Sequence, residues 1–324
     1  MKLCAILLLW LGVTPFAQAL QHHLLIINGI GGIDAYRDLF ATRSTQMYQS
    51  AIAAGIDAGN ITLLSATALP DVSQPHRVSD KPTIMQALQE IGTRAQAGDR
   101  VFVILIGHGN PRADGAAFNL PGPDISAADL AAALATLQDQ LVVVVNTASA
   151  SGPFIDALSG DQRIVITATS SGREYYATLF GDYFVAAFAA TGADTDKDER
   201  VSMLEAFAFA RRETQREYDK EKQLSTEHAL LDDNGDGVGS REPGEFEADG
   251  ALANRVFLQQ PASLALGASA QMVELTRRKQ ALEQSISELK RQRENLPRDD
   301  YYARLETLLV DLALLSREIR ALGG

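Results

Sequence analysis

The chain has 324 residues, with 29 Lys and Arg against 41 Asp and Glu, a formal charge of −12. That acidity argues against a nucleic-acid ligand, because neutralising phosphates takes clustered cations. With 46% hydrophobic residues, 22% charged residues and one cysteine, the composition predicts a globular fold with a sizeable core and excludes a disulfide framework or a cysteine-rich zinc site.

Met1 to Ala19 reads as a secretory signal peptide. Lys2 supplies the positive start, Leu3 to Val13 the apolar stretch, and Ala17-Gln18-Ala19 the small-x-small cleavage pattern. No other apolar run reaches the ~18 residues that a membrane span needs. The expectation is a periplasmic or secreted protein without a membrane span. Cys4 is the single cysteine, so cleavage after Ala19 leaves a mature chain with none.

Between Leu20 and Ala190, short β-branched runs alternate with amphipathic stretches. The runs are Leu24–Asn28, Ile61–Leu64, Val101–Ile106, Leu141–Asn146 and Arg163–Thr167. Nearly continuous apolar runs of this kind fit strands of a parallel sheet buried on both faces. The helical candidates are Ala35–Ala54, Thr83–Gln96, Ala127–Leu137 and Tyr176–Ala190. Such alternation predicts an α/β domain, with its site at the carboxyl edge of the strands.

Two of those strand ends carry chemistry. Val101–Ile106 runs into Gly107-His108-Gly109-Asn110, where a histidine general base is useful and the Gly109 amide is free to face an oxyanion. Leu141–Val145 runs into Asn146-Thr147-Ala148-Ser149-Ala150-Ser151-Gly152, a loop of small residues. It is not a G-x-S-x-G elbow, since no glycine lies two residues before either serine.

A strand ending in His-Gly, followed by one ending in a small-residue loop closed by Ser-Gly, resembles the legumain family of caspase-like cysteine peptidases. That family's Glu-Ala-Cys-Glu-Ser-Gly lines up with Thr147 to Gly152. The opening "LLIINGIGG" and the later "RIVITATSSGREYYATLFGDYF" are similar to the family as well. The resemblance spans Leu24 to Phe188. It implies a caspase-like sheet with its five strands in the order 2-1-3-4-5, a histidine base at His108, an oxyanion site at Gly109 and a nucleophile position at Ser149. It also implies a peptide or protein ligand, with Arg37, Ser170 and Glu174 as candidate specificity residues.

The departure is the nucleophile. A thiol of pKa about 8.5 offers some thiolate near neutrality, whereas a serine hydroxyl needs a well-oriented base. Three readings follow. The protein is a pseudopeptidase that binds or scaffolds; or it is a serine-type hydrolase using His108 and Ser149; or the two residues are packing neighbours in an unrelated α/β fold.

The composition turns acidic after Gly192. Asp194, Asp196, Asp198, Arg200 (through its carbonyl), Ser202 and Glu205 occupy positions 1, 3, 5, 7, 9 and 12 of an EF-hand-like calcium loop, with Glu199 where glycine is usual. A second such loop starts with Asp232, Asn234, Asp236, Val238 (through its carbonyl) and Ser240. Its twelfth position is Pro243, so Glu242 or Glu245 is the candidate closing carboxylate. A helix, Met203–Tyr218, lies between the loops. His228 is read as a packed or exposed helix residue.

The C-terminal stretch is helical. Met272, Leu275, Leu282, Ile286 and Leu289 form one seam, and Tyr301, Leu305, Leu308, Leu312, Leu315, Ile319 and Leu322 a second, with Pro297 in a turn between them. This predicts an antiparallel coiled-coil hairpin, suited to self-association or to a partner helix. The implied organisation is a signal peptide (1–19), a caspase-like α/β domain (20–190), a calcium-binding region (191–250), a linker (251–267) and the hairpin (268–324).

Overall fold

The computed structural model describes residues 20–72, 74–113, 115–245, 247–259, 270–291, 293 and 296–323. The expected signal peptide and the second half of the expected linker lie outside the described residues.

Five parallel strands form the frame: β1 (His22–Asn28), β2 (Ile61–Ser65), β3 (Arg100–Ile106), β7 (Leu141–Asn146) and β8 (Arg163–Thr167). They are the five β-branched runs read from the sequence. A sixth strand, β9 (Leu230–Asp232), pairs antiparallel with β8, giving the order β2-β1-β3-β7-β8-β9. The five predicted strands therefore take the caspase-like order. Three short strands, β4 (Gly109–Arg112), β5 (Gly115–Phe118) and β6 (Ile125–Ser126), make a separate antiparallel ribbon beyond β3.

Both faces of the main sheet are covered, which is why its strands are apolar throughout. On one face, Phe40 and Met47 of α1 (Asp34–Ala53), Phe180 and Phe184 of α5 (Phe180–Ala187), and Met203 and Phe207 of α6 (Met203–Lys220) pack on Ile26, Phe102 and Val143. On the other, Ile84 and Leu88 of α2 (Lys81–Arg94), Leu130 and Leu134 of α3 (Ala127–Leu134), and Phe154 and Leu158 of α4 (Phe154–Leu158) pack on Leu25, Val103 and Val144. Val201, Leu231, Val256 and Leu258 belong to the first core, so the acidic segment is built into the α/β body.

Local chemistry sets the helix starts. Asp80 accepts from Thr83 N ahead of α2, and Ser126 and Ser202 open α3 and α6 with reciprocal capping boxes to Asp129 and Glu205. Near the C-terminus, α7 (Ala270–Arg291) and α8 (Arg298–Gly323) pack against one another, burying Met272, Leu275, Ile286, Leu289, Tyr301 and Leu315. Among the described residues, no helix is long and apolar enough to cross a membrane.

At the amino edge of the sheet, two histidines are fully inside. His22 Nδ1 meets the Leu258 carbonyl at 3.1 Å, and His23 Nε2 meets Asp99 at 3.2 Å. Burial, with help from the Arg100 charge, pushes the His22 imidazole down from 6.5 to about 3. Between those two values the unfolded chain binds a proton that the folded chain refuses. Stability contributed by neutral His22 is therefore lost as pH falls from about 6.5 towards 3. His22→Leu is expected to flatten this part of the pH–stability profile in urea denaturation; a profile as steep as that of the wild type would contradict the assignment.

Candidate active site and acidic loops

The register pairs Leu105 of β3 with Asn146 of β7, so the loops after both strands leave the sheet side by side. His108 and Ser149 sit on those adjacent ends. The loop carrying Ser149 is held by hydroxyls and amides from all sides. Thr147 Oγ1 donates to the Leu105 carbonyl at 2.8 Å, Thr178 Oγ1 donates to the Thr147 carbonyl at 2.6 Å, and Ser151 Oγ pairs with Thr169 Oγ1 at 3.1 Å. Ala150 takes a left-handed φ of 53°, unusual for a residue with a Cβ, and its N–H donates to the Glu174 carbonyl at 2.8 Å.

Ser149 is 2% exposed. Its hydroxyl donates to the Gly109 carbonyl at 3.0 Å and accepts from the Gly109 amide at 3.2 Å. Gly109 has to be glycine, since a Cβ there falls 2.3 Å from the Ser149 carbonyl oxygen. The Gly109 amide thus donates to the Ser149 oxygen itself, whereas an oxyanion donor faces the oxygen of a substrate carbonyl.

The His108 ring is engaged elsewhere. It packs edge-on against Tyr36 at 4.6 Å and Phe40 at 4.9 Å between centroids, both from α1. Among the described residues its nitrogens make no hydrogen bond, to Ser149 or to any carboxylate. Burial first, and then the charge of Arg43, lowers its pKa. Asp124, one of the acids near His108 in sequence, accepts from Asn110 Nδ2 and Leu120 N instead.

Arg43 is a site residue that the sequence reading passed over. It is buried, it bonds Asp182 through Nε and, at 2.6 Å, through Nη2, and it donates to the Thr178 carbonyl at 3.2 Å. It ties α1 to the segment that supports Thr147. Tyr36, Phe40 and Arg43 recur at helical spacing on one face of α1, a signal visible in the sequence. Asn28, at the end of β1, is also buried and leaves Oδ1 without a partner at the same edge of the sheet.

The three specificity candidates separate. Arg37 pairs with Asp34 on the exposed first turn of α1. Ser170 and Glu174 stay together: Glu174 accepts from Ser170 N at 2.9 Å and Ser170 Oγ at 2.8 Å, and it also meets His228 Nδ1 at 2.9 Å. Those hydrogen bonds outweigh the cost of burial and hold the Glu174 carboxyl below its usual range.

In the first acidic loop, oxygens of Asp194, Asp196 and Asp198 lie within 4.8 Å of one another. Glu199 takes φ 71°, supplying at position 6 the left-handed turn that glycine normally provides. Asp194 Oδ1 is buried and has no hydrogen-bond partner among the described residues, and burial followed by the Asp198 charge raises the Asp196 carboxyl to about 6. Asp198 also pairs with Arg200. Glu205 closes the loop from α6. One of its oxygens takes Thr195 N at 2.8 Å, while the other takes Ser202 N and Ser202 Oγ, both at 2.9 Å. The donor set of hard carboxylate oxygens suits calcium.

The second loop is shaped differently. Asp232 is buried and accepts from Gly235 N and Gly237 N, and Asp236 accepts from Asn234 Nδ2 and from Val238 N. The Val238 side chain is exposed, while Ser240 bridges to Leu231 through its backbone and accepts from Glu242 N through Oγ. Glu242 pairs with Arg211 of α6. The carboxylate that faces the loop's acids is Asp249, 2% exposed, which accepts from Asp233 N at 3.2 Å. Burial, and then the charges of Asp232, Asp233 and Asp236, raise it to about 6. Asp249 lies six residues past position 12, too far for a fixed-spacing reading to find.

Residues 78–231 match the sequence model of the Peptidase C13 family. That stretch, a little under half of the chain, holds His108, Ser149 and the whole first acidic loop. A crystallised protein of Geobacter sulfurreducens, GSU0716, is similar at 11% identity, with 65% of this chain and 92% of that chain covered and a TM-score of 0.45. No curated protein sequence matches the chain.

Removing the Asp182 carboxylate leaves the Arg43 guanidinium buried with one carbonyl partner. Asp182→Ala is expected to cost about 2 kcal/mol in urea denaturation, less than a fully buried pair because Asp182 is partly exposed. No loss would show that Arg43 is solvated in the folded protein.

Proposed function

We propose that the protein is an exported, calcium-binding Peptidase C13 homologue whose site binds or scaffolds a peptide or protein and does not cleave it. The observation that carries this reading is the Ser149 hydroxyl. Both of its hydrogen bonds go to the Gly109 backbone, and the His108 ring is held by Tyr36 and Phe40. A serine becomes a nucleophile when a base takes its proton in the transition state, and no base is bonded to this one. The second reading, a serine-type hydrolase, would need His108 to reach Ser149 and the Gly109 amide to leave Ser149 Oγ for the oxygen of a substrate carbonyl.

Fluorophosphonate labelling followed by intact mass separates the two. The folded protein is expected to remain unlabelled, with or without millimolar calcium. An adduct at Ser149 that disappears in His108→Ala would establish the hydrolase and end the pseudopeptidase reading.

Export rests on the residue pattern of the first nineteen positions. Calcium rests on the converging carboxylates of the first loop and, in the second, on the residue pattern alone. In the first loop, Asp194, Asp196, Asp198 and Glu205 would hold the ion; in the second, Asp232, Asn234, Asp236 and Asp249 are the candidates. A ligand at 100 times its Kd stabilises the folded state by about 2.7 kcal/mol. Millimolar calcium is therefore expected to raise the melting temperature by several degrees. Asp194→Asn should remove most of that rise, and lowering the pH below about 6 should weaken it as Asp196 takes up its proton. An equal rise with magnesium, or none with calcium, would remove calcium from the proposal. The α7–α8 hairpin would supply the surface for self-association or for a partner helix.

A further inference from the structure

A cavity of about 210 Å³ opens beside the carboxyl end of β8, between α6 and the segment leading into β9. None of the Ser149 loop lines it, although Ser170 and Glu174 touch both places, and its chemistry does not depend on whether Ser149 reacts. Its apolar floor is Ala168, Phe180 and Ala229, and its polar wall includes Thr214, His228 and Arg241.

Three observations on that wall converge. Thr214 is 5% exposed, and its Oγ1 is buried without a hydrogen-bond partner among the described residues. A buried hydroxyl left unpaired costs about 1–3 kcal/mol, so it marks a place where a partner is missing. Arg241 donates to Ser170 Oγ at 3.2 Å and has no carboxylate partner among the described residues. The neighbouring Arg211, by contrast, is fully committed to Glu242 through two bonds. His228 is fixed by Glu174, which accepts both its backbone N–H and its Nδ1–H, so Nε2, an acceptor in the singly protonated ring, is the nitrogen left for an N–H of a ligand.

A hydroxyl and a guanidinium set over an apolar floor, beside an accepting imidazole nitrogen, match a carboxylate and a neighbouring N–H on a short apolar body. Arg is the preferred partner for carboxylate because its fork offers paired N–H donors. The buried Glu227 on the same cavity does not compete for these donors. Its oxygens already accept from Leu179 N, Phe180 N and the Tyr218 hydroxyl. The volume holds about one amino-acid residue, less than the ~300 Å³ typical of drug-sized ligands.

We propose that this cavity is a binding site for a carboxylate group on a ligand the size of one amino-acid residue, held by Arg241 and Thr214, with His228 Nε2 accepting an N–H beside it. Such a group is either a peptide C-terminus or an acidic side chain. Calorimetric titration with N-acetyl-alanine, N-acetyl-glutamate amide and the uncharged N-acetyl-alanine amide distinguishes the two. One of the carboxylate probes is expected to bind in the millimolar range or tighter, and the amide at least tenfold more weakly. Arg241→Gln should weaken the binding probe at least tenfold. Thr214→Val should weaken it severalfold while keeping the unliganded melting temperature at or above that of the wild type. Equal binding of acid and amide, no binding of either acid, or unchanged affinity in Arg241→Gln would overturn the proposal. So would a drop in the unliganded melting temperature of Thr214→Val, since the hydroxyl would then be satisfied within the fold.

Discussion

A parallel sheet with no free face constrains everything else in this protein. Leu24 to Ile27, Val101 to Ile106 and Val142 to Val145 are all buried, so the strands leave no room for polar side chains between their ends. Chemistry is displaced to the carboxyl edge, and there the chain changes abruptly from valine and isoleucine to asparagine, threonine, serine and glycine. Backbone groups beyond the last ladder bonds still have to be satisfied in a dry setting. The short hydroxyl side chains do that work. Thr147, Thr169 and Thr178 bond the loops to one another and to the strand ends. Ser149 belongs to the same network, and its rigidity follows from it.

The acidic segment follows a different logic. Its carboxylates are drawn partly out of water and gathered together, and Asp196 and Asp249 show the cost of burial first and of mutual repulsion second in their raised proton affinity. Backbone amides offset part of it, as at Asp232 and Asp233, where turn and loop N–H groups converge on the carboxylates. The clusters are tied to the body through β9 on the sheet edge and through α6 in the core. A cation bound there would act on the sheet edge and on α6 together, so its effect would be felt in global stability and not only in loop order.

The frame was legible because buried parallel strands write themselves as uninterrupted β-branched runs, and all five lie where those runs do. Helix α5 was legible only in part. Periodicity suggests a start near Tyr176, yet Tyr175 and Tyr176 are exposed and the helix begins at Phe180. Its first amides are taken by the Glu227 carboxylate, 47 residues further along the chain, so the signal that sets the boundary is not local. Strand β9 was hidden for a related reason. Three residues leading into an aspartate-rich turn carry no period, and the pairing with β8 is a tertiary event. The ribbon β4–β6 reads as a loop from its Gly-Asn-Pro start, because Pro111 has no N–H to donate to a ladder. At the site, His108 and Ser149 were placed by strand order alone, whereas the separation of their side chains depends on Tyr36 and Phe40, which reach in from another element.

That separation bears on what a serine does in this loop. The Gly109 backbone presents a donor and an acceptor to the same side chain, at 3.2 and 3.0 Å. A hydroxyl answers both with good hydrogen bonds, each worth about 1 kcal/mol net. A thiol is a weak donor and a weak acceptor, and it would answer neither well. Serine at position 149 therefore strengthens the join between the two loops by the same contacts that occupy the oxygen a nucleophile would need. To attack a carbonyl, Ser149 would first have to give up the bond to the Gly109 carbonyl and turn towards His108, whose ring is held by Tyr36 and Phe40. Ground-state bonding and reactivity oppose each other here. The two hydrogen bonds at Ser149 and the aromatic contacts at His108 all favour the loop in its resting arrangement.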